Sequence, residues 1–217
     1  MSYKVKIKKA IIKIDKTLPR AMFYSFIMSP KEKALFDKKV KNSRYYLEFG
    51  MGGSTFRVLQ KSDAKVYSID SSTEWISLMQ EYRQIRSMEK KGRLSLFHVD
   101  IGPTREWGRP VGDSNMEKFP DYSSKIFNLI DKEAVDTILI DGRFRVACTL
   151  RTILECYQNK NLQIIIHDFW NREEYHVVLK YIDSIEKADS LGVFKIKNNI
   201  DLKAISEEYD LYKYHVE

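Results

Sequence analysis

Hydrophobic and polar positions follow two periods along this chain, and the switch between them marks its elements. Short, mostly apolar runs begin at Tyr45 and recur at Lys65 to Asp70, Arg93 to Asp100, Val135 to Asp141 and Leu162 to Ile166. Their length and their Val, Ile and Tyr content predict strands. The fourth is nearly all apolar, as expected of a strand covered on both faces. Between them the spacing becomes helical. Ser29-Pro30-Lys31-Glu32 puts Ser at a cap and Pro at a first helical position, predicting a helix to about Val40. Phe56, Leu59 and Gln60 predict a short helix. Ser71 with Glu74 reads as a capping box, and Trp75, Leu78, Met79, Tyr82 and Ile85 then recur at helical spacing, facing the sheet. A short helix is expected from Lys125 to Asp131, and a longer one through Val146, Leu150, Ile153, Leu154 and Tyr157. Another should span 172–187, with Val178, Tyr181, Ile182 and Ile185 inward. Gly192 to Lys197 and Leu202 to Ile205, joined at Asn198-Asn199, read as a terminal hairpin, with the last ten residues an alternative final strand.

Two regions lack such order. Tyr3, Val5 and Ile7 alternate with lysines, which is strand periodicity with one wet face, and residues 10–18 then lose it. Residues 101–124 hold three Gly and three Pro and read as a long loop, with Trp107 and Tyr122 as candidate lid or substrate contacts. Strands alternating with helices predict a parallel sheet with right-handed crossovers.

Composition changes the picture little, and charge changes it at one place. The 217 residues are 43% hydrophobic and 31% charged, enough for one α/β domain with a full core. No apolar run approaches the length of a membrane span, and the Lys-alternating N-terminus lacks the apolar block of a signal peptide. Cys148 and Cys156 lie on one expected helix, about 12 Å apart and beyond disulfide reach, so both are read as reduced and the protein as cytoplasmic. Of the net charge of +7, residues 1–20 supply +6, seven cations against Asp15. Such a segment suits a polyanion: nucleic acid, anionic lipid or acidic glycan.

The chemistry concentrates at Glu48-Phe49-Gly50-Met51-Gly52-Gly53-Ser54, a strand end, a glycine-rich turn and a helix start. Glycines there let backbone approach a ligand, and the first helical N–H groups point into the same space. Asp70 ends the next strand 20 residues after Gly50, a spacing that suits a carboxylate gripping ribose hydroxyls. The turn departs from the dinucleotide pattern G-x-G-x-x-G, because Phe56 and Arg57 stand where its last glycine belongs. Glu48 would repel a pyrophosphate but suits an ammonium or a sulfonium. Five expected strands end in Glu48, Asp70, Asp100, Asp141 and Asp168. Acids gathered on one edge call for a cationic ligand.

These residues resemble motif I of the class I S-adenosylmethionine-dependent methyltransferases. Ile69-Asp70 resembles their ribose-binding motif, and His98-Val99-Asp100-Ile101 and Ile138-Leu139-Ile140-Asp141-Gly142 continue the likeness over about residues 43–185. Gly102-Pro103-Thr104, Asp141 to Arg145 and the Asp168 segment resemble a little-characterised methyltransferase-like branch. The resemblance implies a Rossmann-like, doubly wound, mostly parallel seven-stranded sheet with one antiparallel strand near the C-terminus. It implies a single domain over 1–217, with 1–42 a basic extension and helix and 43–217 the core. It also implies S-adenosylmethionine as cofactor and methyl transfer to a small molecule or sugar. Gly50, Gly52 and Ser54 would line the methionine part near Glu48, and Asp70 would hold the ribose. Asp100 and Ile101 would flank the adenine. Asp141, His167 and Asp168 are the catalytic candidates. Mg²⁺ is left open: Asp141, Asp168 and Asn171 match loosely the acids that hold it in some O-methyltransferases, but Phe169 stands where an Asn would follow Asp168. No Cys/His cluster suggests zinc. The alternative reading is a non-catalytic S-adenosylmethionine-binding or assembly protein that keeps the fold.

Overall fold

A computed structural model describes residues 10–216. The expected strand at Tyr3 to Ile7 lies outside them. In chain order the elements are a short helix α1 (residues 10–15), then α2 (Pro30–Val40), β1 (Tyr45–Phe49), α3 (Gly53–Lys61), β2 (Lys65–Asp70), α4 (Thr73–Gln80), α5 (Arg83–Lys90) and β3 (Leu94–His98). A small ribbon follows, β4 (Thr104–Arg105) and β5 (Arg109–Pro110). After it come α6 (Phe119–Ser124), β6 (Thr137–Ile140), α7 (Arg145–Cys156), β7 (Gln163–Ile166), a 3₁₀ segment (Glu173–Lys180), β8 (Ile182–Ala188), β9 (Leu191–Ile196) and α8 (Leu202–Tyr212).

Seven strands form one sheet in the order β3-β2-β1-β6-β7-β9-β8. Neighbours are parallel except β9, which runs antiparallel to both β7 and β8. The order reverses between β1 and β6, and in such sheets ligands bind at the strand ends beside that reversal. Side-chain alternation explains why the central strands read as unbroken apolar runs. Leu47, Ile138, Ile140, Ile164 and Ile166 pack on one face, with Ile153 of α7 and Ile205 of α8. Tyr46, Leu139 and Ile165 pack on the other, with Phe36 and Val40 of α2 and Phe56 of α3. Each strand therefore buries both its odd and its even positions.

The N-terminal cap forms as expected. Ser29 Oγ accepts from Glu32 N–H at 3.2 Å while the Glu32 carboxylate accepts from Ser29 N–H at 2.7 Å. Five expectations need correction. Residues 101–124, read as a long loop, hold the β4–β5 ribbon and α6. The cap of α4 is Ser72 rather than Ser71, with its Oγ accepting from Trp75 N–H at 3.1 Å. The run from Trp75 to Ile85 is two helices, and Trp75 and Leu78 stand exposed instead of facing the sheet. The 172–187 helix is a 3₁₀ segment that gives way to β8; pairing with β9 decides for a strand, which buries Ile182 and leaves Ile185, expected inward, exposed. The terminal hairpin is β8–β9, turning at Asp189-Ser190, while 202–212 is helix α8 capped by Asp201. Asn198-Asn199 thus leads into a helix.

Candidate active site

The turn after β1 is shaped by close approach of backbone. Gly50 takes φ +92°, open to glycine without strain, and a Cβ on it would lie 2.7 Å from the Cα of Gly142, the residue after Asp141. Gly142 is confined in turn by Gly50 and by the hydroxyl of Tyr122, into which a Cβ would run. The end of β1 and the end of β6 therefore touch. Gly53 is covered from the other side by Ser25 and Phe26, so the strap over residues 21–28 crosses the first turn of α3. Gly52 alone in this turn faces open space, with no atom within 4 Å of where its Cβ would stand.

Two acids and one indole hold that turn. Glu48 is wholly buried beneath it and does not face the open side. Its carboxyl accepts from Ser68 Oγ at 2.6 Å, from Tyr46 Oη at 3.0 Å and from Thr55 Oγ1, which itself accepts from Gly52 N–H at 3.0 Å. Burial pushes Glu48 up to about 7 against the hydrogen bonds from Ser54, Ser68, Thr55 and Tyr46. Asp70 accepts from Ser72 N–H at 2.9 Å and from the N–H groups of Met51 and Ser71; burial raises it to about 6 in spite of them. Trp75 Nε1 donates to the Met51 carbonyl at 2.9 Å, leaving the ring 40% exposed over the turn. Met51 is thus held through its C=O, with its N–H toward Asp70. Asp100 stands further out, exposed, accepting from Gly102 N–H at 2.9 Å and from Lys118 at 2.7 Å, and Lys118 holds its carboxyl below the usual range. Ile101 beside it is buried.

Across the Gly50–Gly142 contact lies the second group. Asp141 Oδ1 receives His167 Nδ1 at 2.9 Å and Arg145 Nη2 at 3.1 Å. The same guanidinium reaches Asp168 Oδ2 at 3.3 Å and donates to the carbonyls of His167 and Gly142. Although burial pushes Asp141 up, the His167 hydrogen bond and the charges of Arg145, His167 and Arg143 bring it below the usual carboxylate range. His167 is 8% exposed, and its Nε2 faces Glu32 Oε2 and Asp168 Oδ1, each at 3.8 Å. Burial disfavours its charge, but Asp141 and Asp168 outweigh that and raise its pKa. Two residues here sit in left-handed backbone: Asp168 at φ +57° and fully buried Phe144 at φ +54°. Such conformations cluster where surrounding structure over-determines them.

The donor set can be tested for a metal. Ligand atoms of Asp141, His167 and Asp168 lie within 4.8 Å of one another. Arg145, 5% exposed, already supplies the positive charge between the two acids, and a divalent ion would have to displace it. The cluster does not fit a metal without that rearrangement.

The residues expected at a site therefore divide into three groups. Glu48 and Ser54 brace the turn from below. Gly52 and Asp70 border its open side, Gly50 is packed against Gly142, and Asp100 and Ile101 stand beyond the turn on the β3 loop. Asp141, His167 and Asp168 form a connected cluster across the glycine contact. Three participants were unmarked or misplaced. Glu32 carried only a capping signal, yet it ties to Ser190 N–H at 3.0 Å and faces His167. Arg145, by contrast, pairs with the nearby acids, as its position four residues after Asp141 at a helix start allows. Tyr122 lies buried against Gly142, and Trp75 was placed in the core by periodicity alone.

No family model and no curated protein matches the sequence. Solved structures do. The chain is similar to a methyltransferase-like protein of Silicibacter pomeroyi at 22% identity, over 91% of this chain and 99% of that one, with a TM-score of 0.74. Lower scores relate it to a methyltransferase from Geobacter sulfurreducens (11% identity, 79% and 82% covered, 0.48) and to the SAH-bound Podospora anserina methyltransferase PaMTH1 (11%, 91% and 97%, 0.49). The chain has the Rossmann-like methyltransferase fold, shared with the Silicibacter pomeroyi protein over nearly its whole length.

Proposed function

We propose that this chain is an S-adenosylmethionine-dependent methyltransferase acting on a small-molecule or sugar acceptor. The observation that carries the reading is the meeting, at the β1/β6 reversal, of an open glycine turn, Asp70 and the Asp141–Asp168 pair. The likeness of fold supports it. The residues present fit the cofactor: Gly52 leaves room, and Trp75 offers an exposed ring beside Met51. Asp70 keeps acceptor capacity, since a carboxylate has about four lone-pair sites and three N–H groups use it here.

Bound there, the cofactor would supply an electrophilic methyl carbon. Asp70 would accept from the ribose hydroxyls, Asp100 and Ile101 would flank the adenine, and Gly50 and Gly52 would line the methionine part, with Ser54 and Glu48 bracing the turn beneath it. Asp141 and Asp168 would orient the acceptor. With its carboxyl held below the usual range, Asp141 is a weak base, so its main contribution would be alignment. His167 would act behind it as a positioning residue. Arg145 takes the place of a metal ion. Residues 1–42 and 43–217 are read as one functional unit whose basic start contacts a polyanion. The buried thiols of Cys148 and Cys156 suit a reducing, cytoplasmic setting.

One observation favours a second reading, a cofactor-binding protein without turnover: the carboxylates around buried His167 favour its protonated form and Asp141 is pinned, so neither offers a free base to an acceptor. Calorimetry with S-adenosylmethionine and its demethylated product, followed by turnover on pooled small-molecule and sugar acceptors, tests both. Binding with turnover is expected. Binding without turnover on any pool leaves the second reading, and no binding of either compound overturns both.

A further inference from the structure

We infer that the N-terminal face of this protein is a docking surface for an anionic lipid bilayer. The inference rests on the polyanion reading of the basic N-terminus and is independent of the methyl-transfer reading. Large apolar side chains stand in water along α1 and the strap: Ile14 is 62% exposed, Met22 68%, Phe23 57% and Ile27 64%. They are gathered rather than scattered. The buried carboxylate of Asp15 accepts from the N–H of Met22 at 2.7 Å and of Phe23 at 3.0 Å, which ties the end of α1, where Ile14 lies, to the start of the strap. Ile11, also exposed, is one helical turn before Ile14.

This face has a fixed base. The Lys16 carbonyl accepts from Arg83 N–H at 2.8 Å, Lys16 Nζ pairs with Glu81, and Gln84 Oε1 accepts from Ala21 N–H at 2.7 Å. Tyr24 stacks on Phe56 with centroids 4.9 Å apart. The exposed side chains are thus held out from an anchored segment.

Cations surround them. A cleft of about 590 Å³ opens beside the strap, lined by Arg20, Met22, Tyr24, Phe26, Lys33 and Arg57. Arg57 is matched by Asp37 through two bonds of 2.6 Å. Among the described residues, neither Arg20 nor Lys33 forms an ion pair; Lys33 lies over the Phe26 ring at 5.7 Å. Lys13 is exposed as well; of the seven cations that the sequence places in residues 1–20, Lys4, Lys6, Lys8 and Lys9 lie outside the described residues. A phosphate headgroup suits the cleft, while Met22, Phe23 and Ile14 reach the acyl boundary beside it. Stable membrane association takes two such signals, apolar insertion and basic charge. A nucleic acid would use the cations and stack on flat rings, but would gain nothing from exposed Ile and Met.

The test is flotation of the full chain with phosphatidylcholine vesicles, with and without about one-third phosphatidylglycerol. Binding to the anionic vesicles alone is expected, weakening as salt shortens the screening length from about 10 Å to about 3 Å. Met22→Ser with Phe23→Ser should lower partitioning by about tenfold or more and leave the melting temperature unchanged, because both side chains are already in water. Equal partitioning of that variant, or equal binding to neutral vesicles, would overturn the proposal. Retention of a single-stranded polynucleotide without vesicle binding overturns the bilayer but keeps the polyanion reading; binding to neither overturns both. A concentration-dependent dimer abolished by the same substitutions would assign the face to a second copy of the chain instead.

Discussion

Replacing Glu48 with Gln is expected to flatten the pH dependence of this protein's stability. The carboxyl lies wholly buried under the glycine turn, and burial pushes it from 4.5 up to about 7. In the unfolded chain it ionises near its ordinary value. Between those two values the folded protein holds a proton that the unfolded chain has released. Stability therefore falls as pH rises from about 4.5 to about 7 and stays low above that. At about 1.4 kcal/mol per pKa unit, this gap limits the effect to about 3 kcal/mol; between about pH 5 and pH 8 it amounts to roughly 2–3 kcal/mol. Gln keeps the size and cannot ionise. For a chain of this length about 2–4 °C accompanies each kcal/mol, so the difference in melting temperature between wild type and variant should move by about 5–10 °C between those pH values, against the wild type. Thermal melts of both proteins at the two pH values measure it. An equal difference at both would refute the reasoning. It would mean that Ser68, Thr55 and Tyr46 hold Glu48 ionised as readily as water does.

Four further outcomes are expected. Asp70→Ala should weaken S-adenosylmethionine binding by roughly 1.5–3 kcal/mol, the range for hydrogen bonds to a charged group, read by calorimetry; an unchanged dissociation constant in the folded variant removes Asp70 from the site. Arg145→Met leaves Asp141 and Asp168 side by side without their shared cation and should cost about 3–5 kcal/mol in denaturant unfolding. Wild-type turnover should also resist a chelator, and a chelator-sensitive, Mg²⁺-restored activity would show that a metal displaces Arg145. Gly142→Ala drives a methyl group into the Tyr122 hydroxyl and against Gly50, so a loss of about 1–3 kcal/mol in stability is expected, together with weaker cofactor binding. A variant as stable as wild type would show that Tyr122 moves aside freely.

The central sheet was legible because its signals are local. β2 is found where its apolar run predicts it, α2 begins at the Ser29-Pro30 cap, and the five apolar runs are the five parallel strands that carry the candidate acids. Buried parallel strands must be apolar on both faces, and that requirement is written residue by residue. The C-terminal third was less legible. Ile182 and Ile185, three apart, suit one face of a helix, yet pairing with β9 makes them strand residues, one buried and one exposed. The order β7-β9-β8 likewise depends on contacts distant in sequence.

Motif spacing alone brought Glu48, the glycine turn, Asp70, Asp141 and Asp168 into one list, because strands of a doubly wound sheet all deliver their C-terminal ends to one edge. What each does on that edge was decided by packing. Glu48 and Asp70 both end apolar runs in an acid, yet one lies beneath the turn among hydroxyls and the other beside its open face. Arg145, fixed by the first turn of α7, settles the charge between Asp141 and Asp168. Glu32 reaches His167 from a helix more than a hundred residues earlier. Periodicity put Trp75 in the core; a break after α4 and one hydrogen bond to Met51 put it over the turn. A sequence records which residues prefer burial and where strands end. The three-dimensional neighbours that neutralise a carboxylate or expose an indole are set by long-range contacts, which no local period encodes.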